Sequence, residues 1–215
     1  MKKVVIVDYG LGNLFSIQHA FRHLGQETLV TSDKKIIEQA DAIILPGVGA
    51  FGEAMNNLNN LDLNAPIKDF VSTGKPFLGV CLGMQLLFDE SEEFGSSKGL
   101  GIVPGNIKKF RHLNKEDKHV RVPQIAWNKI LKPDDTKYDW NTTVLKGVKE
   151  EEYMYFVHSY YASPVNRDHI LTETNYEDLK YCSSVLKDNV FAAQFHPEKS
   201  AEEGLKIYRN WLTLI

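Results

Sequence analysis

The alternation of short apolar runs with helical patterns in the first half of the chain constrains the fold more than any other feature. Three of these runs, residues 3–7, 42–45 and 76–80, are apolar almost throughout. After the first run, apolar residues recur three and four positions apart from Leu14 until Gly25, as they do along one face of a helix. Strands that are apolar on both sides need cover on both faces of their sheet. The alternation therefore predicts an α/β fold with a mostly parallel central sheet and helices on both faces.

The predicted elements of this half follow one another closely. Asn13 and Asp33 are candidate caps for two helices, and Gly25 ends the first of them. The predicted order is strand 3–7, helix 14–24, strand 29–30, helix 34–39, strand 42–45, helix 51–61, helix 66–72, strand 76–80 and helix 82–88.

The second half of the chain has shorter and more polar β patterns, which predict antiparallel strands added around the edge of the sheet. The predicted strands are 106–111, 123–130, 153–161, 170–174 and 181–186, followed by an apolar strand at 190–195 after a hairpin turn at Asp188-Asn189. The last helix is predicted to begin at Ser200, with Glu203 completing a capping box. Its predicted buried residues are Leu205, Tyr208, Trp211 and Leu212. With 215 residues, the chain is expected to form a single domain over 1–215.

Composition excludes several classes of protein. The net charge of −3 gives no reason to expect a nucleic acid or an anionic membrane surface as a partner. The longest run without charged or strongly polar residues, 42–52, falls well short of the roughly 18 apolar residues that indicate a transmembrane helix. Cys81 and Cys182 form no ligand cluster with each other or with histidine, which predicts no metal site and a reducing compartment. The expected protein is soluble and cytoplasmic.

The sequence Gly79-Val80-Cys81-Leu82-Gly83 has the pattern of a nucleophile elbow, with cysteine in place of serine, between a predicted strand and a predicted helix. Glycine on both sides suits a turn that is strained and crowded. A helix beginning at Leu82 would favour the thiolate of Cys81, and the Leu82 N–H would stabilise an oxyanion. The alternative interpretation is a buried core cysteine beside closely packed glycines.

A cysteine nucleophile needs a base, and the base needs an orienting group. His196 follows the last apolar strand, and Pro197 favours an extended backbone before it. Residues two apart on an extended segment point the same way, so Glu198 could hold the imidazole. The ends of parallel strands share one edge of the sheet, which would bring His196 beside Cys81. The alternative is a surface turn at a strand end, but together with the elbow the pattern predicts a Cys81–His196–Glu198 triad.

The glycine-rich segment 46–52 matches the dinucleotide-binding spacing at Gly47, Gly49 and Gly52. A nucleotide-binding module resting on this loop is therefore an alternative function. The acidic residue expected about 20 positions later is Asp69, which lies in a helical pattern rather than at a strand end. We favour the other use of this loop, in which Val48 or Gly49 supplies a second backbone N–H to the oxyanion.

At these residues the chain resembles a known family. The motifs Cys81-Leu82-Gly83-Met84-Gln85, Phe195-His196-Pro197-Glu198-Lys199-Ser200 and Pro46-Gly47-Val48-Gly49 resemble those of the class I glutamine amidotransferases, which have a flavodoxin-like fold. Three further motifs are similar to those of glutaminase subunits of imidazole glycerol phosphate synthase, the HisH type: Asp8-Tyr9-Gly10-Leu11-Gly12-Asn13, Ala126-Trp127-Asn128 and Phe156-Val157-His158-Ser159-Tyr160. The resemblance covers residues 4–211.

The resemblance implies a role for each matching position. Cys81 would attack the side-chain amide of L-glutamine, His196 would protonate the departing ammonia, and Glu198 would orient His196. The positions implied to hold substrate or its oxyanion are Gly47, Val48, Gly49, Leu82, Gln85, Ser159 and Tyr160. No cofactor is implied.

The resemblance also implies a partner. In this family the ammonia passes to a (β/α)₈ cyclase subunit, the HisF type, which makes imidazole glycerol phosphate in histidine biosynthesis. Trp127, Tyr155 and Lys199 match positions at the interface of that heterodimer.

One segment departs from the family pattern. Where the family usually has Pro-His-x-Gly-Trp-Asn, this chain has Gln124 and Ala126 in place of the His and Gly. The change leaves the triad intact but bears on the partner, so a paralogous subunit for surface-sugar amidation and a γ-glutamyl hydrolase remain alternatives. The surrounding segment 98–132 carries nine Lys and Arg against Glu116 and Asp117, a local charge of +7. This excess predicts either a basic face for an acidic partner or a solvated hairpin.

Overall fold

The computed structural model describes residues 2–112, 116 and 119–215. Its strands are β1 Val4–Val7, β2 Thr28–Thr31, β3 Ala42–Leu45, β4 Phe77–Val80, β5 Glu90–Ser91, β6 Ser97–Lys98, β7 Gly105–Lys109, β8 Gln124–Lys129, β9 Tyr153–His158, β10 Tyr160–Pro164, β11 Ile170–Tyr176, β12 Leu179–Lys187 and β13 Val190–Ala193. Its α-helices are α1 Leu14–His23, α2 Lys34–Glu38, α3 Phe51–Asn60, α4 Asn64–Ser72, α5 Leu82–Gln85 and α6 Ala201–Leu212. Short 3₁₀ helices span Trp140–Thr142, Arg167–His169 and Pro197–Lys199.

Eleven of the described strands form one sheet in the order β2-β1-β3-β4-β13-β12-β10-β7-β5-β6, with β11 paired to β12. The first five are mutually parallel, and β12 continues the sheet in antiparallel pairing with β13. Strands β8 and β9 form a separate antiparallel hairpin. The predicted α/β fold with a mostly parallel sheet and added antiparallel strands is confirmed.

Helices cover both faces of the parallel part of the sheet. Alternate residues of β1 face opposite ways, so Val5 joins one apolar cluster and Ile6 the other. The first cluster is completed by α2, α3 and α4, and the second by α1 and α6. Phe21 of α1 meets the edge of the Trp211 ring of α6 at 5.8 Å between centroids. Burial on both faces is why the parallel strands can be apolar throughout.

Helix α5 is shorter than predicted, because it ends at Gln85 rather than at residue 88. The carbonyls of the next two residues, Leu86 and Leu87, accept hydrogen bonds from Leu100 and Ile102, each at 2.8 Å. An apolar run suits a buried loop as well as a helix, so periodicity could not separate the two. The electrostatic contribution of this helix at Cys81 is therefore that of a single turn.

The strand predicted over 153–161 is divided at Ser159. The part before Ser159 pairs with β8, whereas the part after it pairs with β7 and β12 in the main sheet. The Ser159 carbonyl accepts a hydrogen bond from Phe110 N at 3.1 Å. The chain thus passes from one sheet to the other at Ser159, a residue that the family resemblance implies to hold substrate.

The predicted helix caps have different outcomes. Asp33 caps α2 by accepting from two backbone N–H groups, whereas the side chain of Asn13 makes no capping hydrogen bond. The predicted capping box at α6 is wrong. Ser200 Oγ donates to the His196 carbonyl at 2.6 Å and accepts from Tyr155 N at 3.0 Å, so it is used by the segment before the helix.

The buried face of α6 differs in part from the prediction. Tyr208 and Trp211 are fully buried, but Leu205 and Leu212 are only half-buried, and Ile207 is buried instead. The hairpin turn predicted at residues 188–189 is confirmed, since Lys187 and Val190 form a facing pair on β12 and β13.

The structure bears on the basic segment, on membrane spans and on metal sites only within the residues that it describes. Of the segment 98–132, residues 113–115, 117 and 118 lie outside the described residues, and they include part of the +7 charge. In the described ranges, no helix is long and apolar enough to cross a membrane, and no group of His, Cys, Asp and Glu could hold a metal ion.

Candidate active site

Cys81 stands at the junction of β4 and α5, with φ 55° and ψ −114°. A non-glycine residue in such a conformation costs about 1–3 kcal/mol, and such strain is concentrated at functional sites. The turn is also crowded: a Cβ added at Gly79 would lie 2.9 Å from the Cβ of Ala192, and one at Gly83 would overlap the Leu45 carbonyl oxygen. Both glycines are therefore required for the sharp turn that presents the thiol.

The register of β4 and β13 brings the predicted nucleophile and base to one edge of the sheet. Val80 faces Ala193 in this parallel pair, and the Cys81 N–H donates to the Ala193 carbonyl at 2.8 Å. His196 follows β13 at the same edge and is buried. Its Nε2 is buried and makes no hydrogen bond to a described residue, which leaves it available to a bound substrate.

The other ring nitrogen of His196 is held by a carboxylate. His196 Nδ1 lies 2.8 Å from Glu198 Oε1, and both side chains are almost fully buried. The Tyr208 hydroxyl donates to Glu198 Oε2 at 3.0 Å. Sequence reasoning missed Tyr208, because it was assigned only to the apolar face of α6. Its hydroxyl fixes the carboxylate that orients His196.

Charges around His196 decide its protonation. Burial alone would lower its pKa, but the charges of Cys81 and Glu198 outweigh burial and raise the pKa to about 10. The imidazolium is then the form present at neutral pH, which suits an acid that must protonate a leaving amine.

We expect NMR titration to place the pKa of His196 near 10, and Cys81→Ala to lower it, because that change removes the neighbouring sulfur charge. The folded-state pKa exceeds the unfolded value of about 6.5, so the associated stability is fully present below pH 6.5 and is lost as pH rises through about 10. His158 serves as an internal reference, since its pKa shifts the opposite way, to about 4. A His196 pKa near 6.5 in the unsubstituted protein would contradict the ion pair.

A cavity of about 340 Å³ opens beside Cys81, within the range of small-molecule sites. Most of the predicted substrate and oxyanion residues line it together with the nucleophile and base. The lining residues are Val48, Gly49, Cys81, Leu82, Gln85, Glu93, Pro123, Val157, His158, Ser159, Tyr160 and His196.

Gly47 does not line the cavity but seats the loop against the elbow. A Cβ at Gly47 would lie 2.7 Å from the Leu82 Cβ and 2.7 Å from the Tyr9 hydroxyl oxygen. Tyr9 in turn donates to the Pro46 carbonyl at 2.7 Å. The next glycine, Gly49, has φ +95°, a conformation that glycine adopts without strain. This packing places the loop against Cys81.

Gln194, which lies behind Cys81, and Glu93, which lines the cavity, were not predicted from sequence. Gln194 is fully buried, and its amide nitrogen lies 3.7 Å from Cys81 Sγ while its oxygen accepts from Gln85 at 2.8 Å. The sequence could have indicated Gln194, because it stands two residues before His196 on an extended segment, and such residues point the same way. Glu93 gave no such signal, since it lies in a loop. Its carboxylate accepts from Phe51 N at 2.6 Å, at the start of α3, and so ties the cavity wall to the helix after the glycine-rich loop.

The three predicted interface residues form one cluster next to the triad. The rings of Trp127 and Tyr155, facing residues of β8 and β9, meet edge to face at 6.2 Å. Lys199 Nζ lies 5.8 Å from the centre of the Tyr155 ring, and that ring lies 6.3 Å from His196. Trp127 is 50% exposed, so half of its surface is open to further contacts.

Comparisons with known proteins agree with this arrangement. The family model described as glutamine amidotransferase class-I matches residues 5–214. A relative from Methanothermobacter thermautotrophicus is 44% identical over 99% of this chain and 98% of its own length. One from Pyrococcus furiosus is 44% identical over the whole of both chains. Both are named imidazole glycerol phosphate synthase subunit HisH.

Solved structures share the fold at lower identity. The structure of PurLQS from Thermotoga maritima superposes with a TM-score of 0.71 at 19% identity, covering 99% of each chain. A structure described as a glutamine amidotransferase gives a TM-score of 0.71 at 18% identity, covering 98% of this chain and 97% of its own. On the family match and the full-length relatives together, the chain belongs to the class I glutamine amidotransferases and, within them, to the HisH subunits of imidazole glycerol phosphate synthase.

Proposed function

We propose that this chain is the glutaminase subunit of an imidazole glycerol phosphate synthase, which hydrolyses L-glutamine to glutamate and ammonia and passes the ammonia to a (β/α)₈ cyclase in histidine biosynthesis. One observation carries the proposal: Cys81 and His196 line a single cavity, and the buried carboxylate of Glu198 holds the far side of the His196 ring. The full-length relatives do not favour the two alternatives, a sugar-amidation paralogue and a γ-glutamyl hydrolase, because they carry the imidazole glycerol phosphate synthase name.

The reaction would proceed in two steps on the thiolate of Cys81. Attack on the glutamine side-chain amide forms a tetrahedral intermediate whose oxyanion accepts from the Leu82 N–H and from the backbone of Val48 or Gly49. The amide C–N bond then breaks, and His196 Nε2 gives its proton to the departing nitrogen. Water, deprotonated by the now neutral His196, attacks the thioester, and the C–S bond breaks. This step releases glutamate and restores the thiolate of Cys81 and the imidazolium of His196. Glu198 stabilises the imidazolium before the transfer and again once His196 has taken the proton of water.

The charged ends of glutamine would be held by the far walls of the cavity. Glu93 presents a carboxylate to the cavity and is the candidate partner of the substrate ammonium group. Gln85, Ser159 and Tyr160 supply polar groups along the remaining wall. The proposed reaction needs no cofactor.

The partner and the compartment belong to the proposal. Both cysteines are free and buried, as suits a reducing cytoplasm. The exposed Trp127 beside Tyr155 and Lys199 is the proposed anchor for the cyclase, since buried aromatic residues dominate interface energies.

Stimulation by the partner tests this function. We expect the isolated chain to hydrolyse glutamine slowly and the addition of the cyclase to raise the rate, because hydrolysis without an acceptor wastes glutamine. Glutamate release is measured with and without the cyclase and its bound substrate, with γ-glutamyl peptides as a second substrate set. Full turnover by the chain alone, or cleavage of the peptides as fast as glutamine, would refute the subunit assignment.

Substitution of the anchor tests the interface. We expect Trp127→Ala to weaken the association with the cyclase by about tenfold to a hundredfold, as for a central aromatic residue of an interface. Val165→Ala is the control. Val165 is 78% exposed, and it follows β10 at the end of that strand away from the β8–β9 hairpin that carries Trp127. Equal Kd values for the two variants in a calorimetric titration would place the interface elsewhere.

A further inference from the structure

A hydrogen-bonded series of buried polar side chains, outside the triad, runs inward from His158 in the cavity wall. Gln124 of β8 faces His158 of β9, and Tyr181 lies between their polar ends. Gln124 Oε1 and Tyr181 Oη are 3.0 Å apart, and Tyr181 Oη and His158 Nε2 are 3.1 Å apart. His158 Nδ1 lies 2.8 Å from the carbonyl oxygen of Tyr160. All three side chains are at most 6% exposed, so their hydrogen bonds must be satisfied within the protein.

The position of each hydrogen in this hydrogen-bonded series can be worked out from the end at the Tyr160 carbonyl. The Tyr160 carbonyl can only accept, so His158 Nδ1 must carry a hydrogen. Burial, reinforced by the charge of His196, lowers the pKa of His158 to about 4, which leaves one hydrogen on the ring at neutral pH. Nε2 is therefore an acceptor, and Tyr181 must donate to it.

These assignments also determine which end of the Gln124 amide faces Tyr181. Tyr181 has a single hydroxyl hydrogen, and with that hydrogen given to His158 its oxygen can only accept. The Thr174 hydroxyl is one group that interacts with this oxygen, and Gln124 must present its N–H₂ as well, because two acceptor oxygens 3.0 Å apart would repel each other. With the Gln124 oxygen facing Tyr181, the amide nitrogen is buried and makes no hydrogen bond to a described residue. The two ends of a primary amide have nearly the same size, so hydrogen-bond partners decide which end faces a neighbour. A half-turn of the amide gives Tyr181 a donor and brings the Gln124 nitrogen into a hydrogen bond, while the amide oxygen takes the position where the nitrogen had no partner.

At the Tyr160 carbonyl, the hydrogen-bonded series reaches the residues around the substrate cavity. The Tyr160 carbonyl that accepts from His158 also accepts from Gln85 Nε2 at 3.0 Å. The same Gln85 nitrogen donates to Gln194 Oε1, and Gln194 in turn lies against Cys81 Sγ. Both amide hydrogens of Gln85 are thereby used, which leaves its oxygen to face a ligand. The hydrogen bond from His158 thus anchors the carbonyl on which the orientation of Gln85 depends.

We propose that His158 is a positioning residue for the substrate: protonated only at Nδ1, and kept so by Gln124 acting through Tyr181, it holds the Tyr160 carbonyl beside Gln85. The proposal rests on the proposed glutaminase function only in naming glutamine as that substrate. It also assigns a role to Gln124, at the position where the chain departs from its family pattern. A histidine that merely fills space is the competing explanation, and it requires no particular hydrogen arrangement.

Nitrogen-15 NMR of the full chain labelled at histidine tests the hydrogen arrangement without any activity. The His158 resonances are identified by their loss in His158→Asn. We expect Nδ1 to be protonated and Nε2 to be unprotonated, with nuclear Overhauser contacts from the Gln124 side-chain N–H₂ to the Tyr181 ring. A hydrogen on Nε2, or amide hydrogens that show no contact with Tyr181, would overturn the proposal.

Two matched variants test the positioning role by glutamine binding in the Cys81→Ala background, where no substrate is consumed. In His158→Asn the side-chain N–H₂ takes the place of Nδ1–H, whereas in His158→Gln the amide takes the place of Nε2 and the donor at Nδ1 is lost. We expect the Kd for glutamine to rise about tenfold in His158→Gln, as for one lost buried hydrogen bond, and by about twofold or less in His158→Asn. Equal losses in both, or a larger loss in the asparagine variant, would indicate a space-filling histidine.

The two proposals fail in different ways. If the glutaminase function were wrong, calorimetry would detect no glutamine binding even in the parent Cys81→Ala protein, while the NMR result would stand. If the parent protein binds glutamine and Nε2 carries the hydrogen, the positioning role alone is refuted. Should a His158 variant fail to fold, the NMR arm still decides the arrangement, because nuclear Overhauser contacts with the Tyr181 ring, 5.4 Å away, identify His158 in the unsubstituted protein.

Discussion

Cys81→Ala is expected to lower the rate of glutamine hydrolysis by on the order of 10⁴-fold or more, because it removes the nucleophile on which the other two triad residues act. The fold should survive. Alanine has the same backbone restriction as cysteine at φ 55°, so the strain of the turn is neither relieved nor increased. The contact of the sulfur with Gln194, at 3.7 Å, and its charge interaction with His196 are lost. Glutamate release reports the activity, and circular dichroism with cyclase titration reports the fold.

The second cysteine provides the matched control. Cys182 is also buried, on β12, where its Sγ contacts the Ser184 carbonyl oxygen at 3.4 Å. Burial raises the pKa of its thiol, so it stays protonated and unreactive. We expect Cys182→Ala to keep nearly all glutaminase activity. Hydrolysis that survives in Cys81→Ala but is lost in Cys182→Ala would refute the assigned nucleophile.

Gly83→Ala should have the largest effect on stability of any single methyl addition in the site. The new Cβ would overlap the carbonyl oxygen of Leu45 and lie 2.8 Å from the carbonyl carbon of the same residue. These are backbone atoms at the end of β3, so relief requires α5 to move away from the glycine-rich loop. We expect a loss of about 3 kcal/mol or more in the free energy of unfolding, at the upper end of overpacking effects. Urea denaturation measures the loss.

Gly52→Ala is the control for that substitution. Gly52 lies in α3, and its nearest neighbour to an added Cβ is the Ser97 side-chain oxygen at 3.2 Å, which can rotate away. Alanine in a helix is about 0.5–1 kcal/mol more favourable than glycine, so this variant should be near neutral or stabilised. Equal destabilisation of the two variants would show that the contact with Leu45 is not what makes Gly83 necessary.

The parts of the fold and site that could be predicted from sequence are those set by local chemistry. The apolar runs predicted the strands that are now β1, β3 and β4, because a strand buried on both faces has no polar residues to obscure it. The elbow at residues 79–83 needs glycines at fixed offsets, so its spacing was informative on its own. The pairing of His196 with Glu198 followed from two-residue periodicity.

The parts that could not be predicted depend on contacts between distant segments. Gln194 and Cys81 are 113 residues apart, and the hydroxyl of Tyr208 reaches Glu198 from a helix face that is otherwise apolar. The division of β9 from β10 at Ser159 reflects a choice of pairing partners rather than any break in β propensity. Ser200 has the sequence of a cap, yet tertiary contacts with His196 and Tyr155 use its hydroxyl.

The position of β13 has a consequence for the order in which the active site can form. This strand is the last in the chain, yet it lies in the interior of the sheet between β4 and β12, and His196 follows it directly. A ribosome releases the chain from its N-terminus, so the edge of β4 stays unpaired until residues 190–193 have been synthesised. The thiol of Cys81 has no acid or base beside it during that time. Insertion of β13 therefore closes the sheet and completes the proposed triad in one event, so we expect a chain that lacks β13 to hydrolyse no glutamine.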